Sequence, residues 1–242
     1  QLAAAETDIL LHKTPQAYHT QIQDALLTAL CLSLSEVYDS PHWTIDVEGH
    51  GRQHPLDDAP SIHATVGWFT TIYPVRLEAM GNNAISTLTK TKEFLRSIPN
   101  QGFGFGSLRE TQEGLRDAPA RQILFNYLGQ LDAALSTNTF ANHKPLSLRR
   151  DPSLKAPYLL EINAFTHGGQ LNVALDFAPD TLSADTAASL SNKFLAKLCE
   201  INQACAANDQ SAFTPSDFPL ANLDTDKLGK VAALLKKPNG GS

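Results

Sequence analysis

Between Pro15 and Glu36, residues Ile22, Leu26, Leu27, Leu30 and Leu34 recur at three- and four-residue intervals, a spacing that stacks them along one side of an α-helix. A stripe that apolar has to be buried, so the fold must supply a second layer to cover it. Another helix of this kind is expected over Ser183–Ala206, with Ser183 or Asp185 near its N-cap and Leu190, Phe194, Leu198 and Ile201 along one side. Between these helices the chain turns to β-favouring runs. Trp43–Val47, the second half of Thr65–Leu77, Ile123–Leu128 and Tyr158–Phe165 read as strands, and Gly168-Gly169 joins the last of them to Leu171–Phe177 as an antiparallel hairpin. Pro74 places its strand at an end or an edge of the sheet. Asn83–Ile98 is a further helix, stopped by Pro99. Helices and strands mix, so a single layered α/β domain with a mixed sheet is expected.

The composition agrees. With 242 residues, 42% hydrophobic and 18% charged, the chain can bury a sizeable core. A formal net charge of -6, with no local run of Lys and Arg, argues against a partner bound through nucleic-acid phosphates. No segment approaches the roughly 20 consecutive apolar residues that cross a bilayer. The first residues, Gln1–Asp8, lack the basic start of a signal peptide, and the chain reads as cytoplasmic. Cys31, Cys199 and Cys205 show no CxxC spacing and read as buried free thiols. His12, His19, His42, His63, His143 and His167 are scattered without ligand spacing, so no metal site is expected. The domain is taken to span 1–222. A tail follows over 223–242, with a weak helix at Asp226–Lys237 and an ending, Gly240-Gly241-Ser242, that reads as a linker or expression remnant.

The segment Val47-Glu48-Gly49-His50-Gly51-Arg52 gathers an acid, an imidazole and a guanidinium where a strand is expected to leave the sheet, between glycines that let a ligand approach the backbone. Glu48 is the candidate general base, since a carboxylate in a partly dry cleft has its pKa raised toward working pH; the alternative is a solvated loop acid. His50 either assists proton transfer or hydrogen-bonds a neighbouring loop. Arg52 reads as a loop anchor or an ion-pair partner.

Other motifs divide similarly. His54-Pro55-Leu56-Asp57-Asp58 is explained by turn chemistry. Gly102-Phe103-Gly104-Phe105-Gly106 lacks the strand and helix context of a phosphate loop, leaving a wall against a ligand or a bend with two buried phenylalanines. Asn126 and Tyr127 alternate with apolar neighbours, so one of them faces a cleft or both are satisfied within the sheet. No Ser, Cys or Thr sits in a nucleophile-elbow pattern.

In order along the chain, VEGHGRQ (47–53), TVGWFTTIYPVRL (65–77), PNQGFGFGSLRE (99–110) and FNYLGQLD (125–132) resemble the motif series of the epimerization domains of nonribosomal peptide synthetases. LLTAL (26–30) and TPSDFPL (214–220) resemble flanking segments of that family, so the similarity covers nearly the whole chain. Gln53, Ala64 and Phe105 depart from the family's usual residues.

The resemblance implies a condensation-domain-like fold, related to chloramphenicol acetyltransferase, and an isomerase. It implies inversion of the Cα of an aminoacyl or peptidyl thioester held on the phosphopantetheine arm of a peptidyl carrier protein, with no cofactor bound directly. Glu48 becomes the acid-base group, Asn126 and Tyr127 line the catalytic site, and Gly49, His50, Trp68, Gly104 and Phe105 belong to the substrate-binding surface. The family's other catalytic group, the second His of HHxxxDG, is absent here, so the chain resembles a C-terminal subdomain whose partner is the N-terminal subdomain and which is inactive alone. A condensation domain that forms amides and a non-catalytic carrier-docking module are the rival readings.

Overall fold

The computed structural model describes residues 1–52, 62, 64–131, 157–208, 211–221, 223, 224 and 226–230. The HPLDD segment and the final Gly-Gly-Ser lie outside the described residues, as does the tail helix beyond 230.

Five strands form one sheet: β1 (His42–Gly49), β2 (Thr71–Glu78), β3 (Ile123–Gln130), β4 (Leu160–His167) and β5 (Gln170–Phe177). Their order is β2-β1-β3-β4-β5, with β1, β3 and β4 mutually parallel and each edge strand antiparallel to its neighbour. Pro74 lies on edge strand β2, where a missing N–H is tolerated. The β4–β5 hairpin turns on Gly168 and Gly169 at φ 60° and 70°, the left-handed pair that a tight two-residue turn requires.

The helices are α1 (Ala4–Asp8), α2 (Thr14–Tyr18), α3 (Ile22–Tyr38), α4 (Ala84–Ser97), α5 (Phe105–Thr111), α6 (Glu113–Arg116) and α7 (Ala184–Ala206), with a π-helical turn at Ile9–Lys13. The single helix expected from Pro15 is broken: His19 at φ 52° ends α2, and the Gln21 N–H donates to Asp24 Oδ2 at 2.7 Å to open α3. The apolar stripe begins only at Ile22, and packing rather than propensity sustains a helix, so continuity stops where the stripe does.

Leu26, Leu30 and Leu34 of α3, Leu88 of α4 and Leu190, Phe194, Leu198 and Ile201 of α7 form one cluster with Ile45, Val47, Val75, Phe125, Ile162 and Leu171. Those strand residues alternate onto a single face. Burying each such side chain contributes about 1.5–3 kcal/mol, which places most of the stabilisation on the helix-covered side. Cys31 and Cys205 lie within this cluster, and burial pushes their thiols up to about 12 and about 11.

The segment 211–221 is strapped across α4. Lys92, only 1% exposed, donates to both Asp217 carboxylate oxygens (2.7 and 2.8 Å) and to the Tyr18 carbonyl (2.8 Å). Burial pushes the Asp217 carboxyl up, yet the Lys92 ammonium and the Thr214 N–H outweigh it and hold the group below its usual range. Glu93 accepts from the Ser216 hydroxyl at 2.6 Å beside this pair.

Candidate active site

Strand alternation decides where the motif residues point. Ile45, Val47 and Gly49 of β1 belong to the helix-covered face, so Asp46 and Glu48 project from the other. β1 runs through Glu48 to Gly49, which corrects the expectation of a loop acid: the carboxylate is mounted on a strand, with its backbone held opposite Ile72 of β2. The parallel register pairs Asp46 with Leu124 and Val47 with Phe125; continued one step, it sets Glu48 level with Asn126, which is opposite Asn163 of β4. Glu48, Asn126 and Asn163 therefore form a row across the second face. Leu124 confirms the division, since it is buried at 8% exposure yet lies outside the helix-facing cluster.

Tyr127 is on the opposite face, packed against the helical core, and burial raises its phenol. Of the Asn126-Tyr127 pair, only Asn126 shares a surface with Glu48.

Glu48 is half-buried, and no hydrogen-bond donor reaches its carboxylate among the described residues. Burial pushes its pKa above the ordinary value, and the negative charge of Glu161, on the same face of β4, raises it further. An acid whose pKa is raised in this way can more readily accept a proton and return it.

Beneath it Asp46, 4% exposed, is fully committed. Arg121 Nε donates to its Oδ1 at 2.8 Å and the Tyr158 hydroxyl to its Oδ2 at 2.9 Å. Burial and that bond to Asp46 push the Tyr158 phenol well up. Phe105 sits under the Arg121 guanidinium, 5.9 Å from ring centre to Cζ, so it supports this anchor. Phe103 is 45% exposed and Phe105 half-buried, which removes the reading of a bend on two buried phenylalanines. Gly104, at φ 87°, opens α5.

The loop after β1 is built around the guanidinium of Arg52, which donates to the carbonyls of Ile62 (2.7 Å) and Thr65 (2.8 Å) and lies 4.7 Å over the Phe69 ring. Gly51 has φ 63°, and a Cβ there would fall 1.5 Å from the Phe69 carbonyl oxygen, so only glycine fits. His50 is exposed, and its Nδ1 accepts the Arg52 N–H at 3.1 Å, a loop-shaping role. Trp68 is 91% exposed on the same loop. Gly49, His50 and Gly51 border a cleft of about 170 Å³ at the end of β1.

Sequence reasoning missed Glu161, Asn163 and the Asp46–Arg121–Tyr158 anchor. Polar residues at alternate positions of Leu160-Glu161-Ile162-Asn163-Ala164 were the available signal for the first two. Among the described residues, no group of three His, Cys, Asp or Glu could hold a metal ion, and no helix is long and apolar enough to cross a membrane.

A mixed five-stranded sheet carrying its long helices on one face, with a half-dry acid on the other, is the α/β architecture of the condensation-domain superfamily. The comparison with known proteins makes the assignment definite: the Condensation domain family matches residues 1–223, and the chain belongs to that family. The epimerization domain from the third module of tyrocidine synthetase B superimposes with a TM-score of 0.76 at 31% identity, covering 86% of this chain and 48% of that one. Bacitracin synthase 2 of Bacillus licheniformis is 36% identical over 95% of this chain and 9% of its own length. Gramicidin S synthase 1 of Brevibacillus brevis is 34% identical over 97% of this chain and 23% of its own. The chain thus spans about half of the solved epimerization domain and a small part of each synthase.

Proposed function

We propose that this chain is the C-terminal half of a peptide-synthetase epimerization domain, and that Glu48 is one of two acid-base groups that invert the Cα of a carrier-bound aminoacyl or peptidyl thioester. The observation that carries this reading is Glu48 itself: strand-mounted, half-buried, raised in pKa and without a hydrogen-bond donor among the described residues. The level of similarity supports it too. Identity reaches 31% to the solved epimerization domain, against 14% to 17% for neighbours described as condensation domains or an X-domain.

A thioester carbonyl acidifies the neighbouring Cα–H. The base removes that proton, the electron pair passes to the carbonyl oxygen as an enolate, and an acid on the opposite side returns a proton to the other face of Cα while the carbonyl reforms. In this reading Asn126, level with Glu48 by the β1–β3 register, donates to the charged oxygen. Two walls are required. Glu48 supplies one, and the family's HHxxxDG histidine on the N-terminal subdomain supplies the other.

The test is Cα deuterium exchange and chiral analysis of an aminoacyl thioester on its peptidyl carrier protein, with this chain alone and with it joined to an HHxxxDG-bearing half. Exchange only in the joined protein is expected. Exchange by the chain alone, or amide formation between two loaded carriers without exchange in the joined protein, would overturn it.

A further inference from the structure

A cleft of about 530 Å³ lies between α4 and the strap 211–221. Thr89, Lys90 and Glu93 of α4 line one side, Phe213 and Pro215 of the strap another, and Leu228 closes it. The polar groups of this lining are already spent. The Thr89 hydroxyl donates to the Ile85 carbonyl at 3.1 Å, Lys90 pairs with Glu78 at 2.7 Å, and Glu93 accepts from Ser216 at 2.6 Å. Phe213 is different. Its ring stacks on His19 at 4.5 Å, yet the residue is 52% exposed, so apolar surface is left facing the cleft. What fits here is an apolar side-chain stripe.

The chain's own C-terminal segment carries one. Asp224 opens a helix in the manner of an N-cap: the Lys227 N–H donates to its Oδ1 at 2.8 Å and the Leu228 N–H to its carbonyl at 2.9 Å. Residues 226–230 are helical, and they bring Leu228 to the cleft just before the described chain stops. Beyond that point Val231, Ala232 and Leu235 stand three, four and seven residues after Leu228, on one side of a continued helix. Asp226, Lys230 and Lys237 fall on the other side, and Pro238 ends the pattern. A helix of about 13 residues with a glycine inside it, Gly229, is marginal in water unless its apolar side is packed.

The tether selects which molecule supplies that packing. Only residues 222 and 223 separate Ala221, at the end of the strap, from the Asp224 cap. A segment held so closely competes at an effective concentration in the millimolar range, which favours it over a separate chain. Residues 231–237 rise about 10 Å as a helix, more than the step of about 6 Å from Thr89 to Glu93 along α4.

We propose that residues 231–237 continue this helix along the cleft, so that Leu228, Val231, Ala232 and Leu235 dock on Phe213, Pro215 and α4. The C-terminal segment then clamps from outside a strap that Lys92 and Asp217 anchor from within.

The experiment is amide hydrogen exchange, read by mass spectrometry, on the full chain and on a variant ending at Lys230. In the full chain, residues 231–237 should exchange at least about 10-fold slower than a free peptide of the same sequence, at every protein concentration. Ending the chain at Lys230 should speed exchange over 211–217 several-fold, and adding a synthetic peptide of residues 224–238 should reverse it. Leu235→Asp, which puts a charge into the stripe, should abolish both protections while exchange in α3 and β3 stays unchanged. Gly229→Ala should raise the protection, since a Cβ there would meet no atom within 4 Å among the described residues. Exchange of 231–237 at the free-peptide rate, an unaltered strap in the shortened chain, or no effect of Leu235→Asp would overturn the proposal. So would protection that grows with protein concentration, which would make a second copy the occupant.

Discussion

The two faces of the sheet obey different rules. On the helix-covered face, Ile45, Val47, Phe125 and Ile162 are at most 2% exposed and interlock with α3, α4 and α7, so stability alone accounts for their identity. On the other face Glu48, Asn126, Glu161 and Asn163 are half-buried, and Glu48 gains no hydrogen bond among the described residues in return for its lost hydration. A carboxylate in that setting costs free energy at neutral pH. One face is thus optimised for folding, and the other carries, in Glu48, a group whose placement folding does not reward.

The contrast is broken most directly at Glu48. In the joined domain, Glu48→Gln should lower the epimerisation rate by about 10²–10⁴-fold, the usual worth of a positioned acid-base group. The same substitution should leave the fold as stable or raise its stability by about 0.5–1 kcal/mol, as commonly found when a strained functional group is relieved. On the opposite face, Phe125→Ala should cost about 3–5 kcal/mol of unfolding free energy, read from a denaturant titration. If Glu48→Gln destabilises the chain by a comparable amount, the division of labour between the faces is wrong.

That division also explains what could be read in advance. The helix-facing stripe of α7, the strands and the Gly168-Gly169 hairpin follow from spacing and turn chemistry, which act locally. Strand order, the parallel pairing of β1 with β3, and the row joining Glu48 to Asn163 depend on segments far apart in sequence, and no local pattern encodes them. Glu48 was legible through its glycine neighbours and the motif series, although its strand was cut short. Asp46 looked like an ordinary strand residue, because only the fold brings Arg121 and Tyr158 to it. Tyr127 was placed in the site by the family resemblance alone; alternation along β3 had allowed only one of the pair to face a cleft, and that one is Asn126, since in a strand adjacency means opposite faces.

The second face is not uniformly functional, and Arg121→Met would show it. Removing the guanidinium leaves Asp46 as a buried charge held by the Tyr158 hydroxyl alone, which should cost about 2–4 kcal/mol. Asp46→Asn in the same background should recover part of the loss, because the charge is then gone. Full recovery or none would mean that Asp46 and Arg121 are not coupled as their 2.8 Å contact indicates.

The smallest expected effect is a shift in pH dependence. Glu48 has its folded-state pKa raised above the ordinary 4.5, first by burial and then by Glu161. The other charged or titratable groups on this face of the sheet are Asp46, Arg121 and Tyr158 and, further along it opposite Glu161, Asp176. Glu48 acts as a base only when ionised, so the acid limb of the rate profile in the joined domain should follow its titration. Glu161→Gln removes a negative charge and makes that ionisation easier, which moves the limb to lower pH; burial remains, so the limb stays above 4.5. Stability must change with the same sign. Because the folded state holds the proton more tightly than the unfolded one, the cost of ionised Glu48 is present in full above its folded pKa and fades as pH falls through that value toward 4.5. The stability gain from Glu48→Gln should therefore be largest at neutral pH and vanish near pH 4.5, and Glu161→Gln should reduce it. A gain that is independent of pH would place the effect in packing rather than charge and would remove the electrostatic coupling between the two strands.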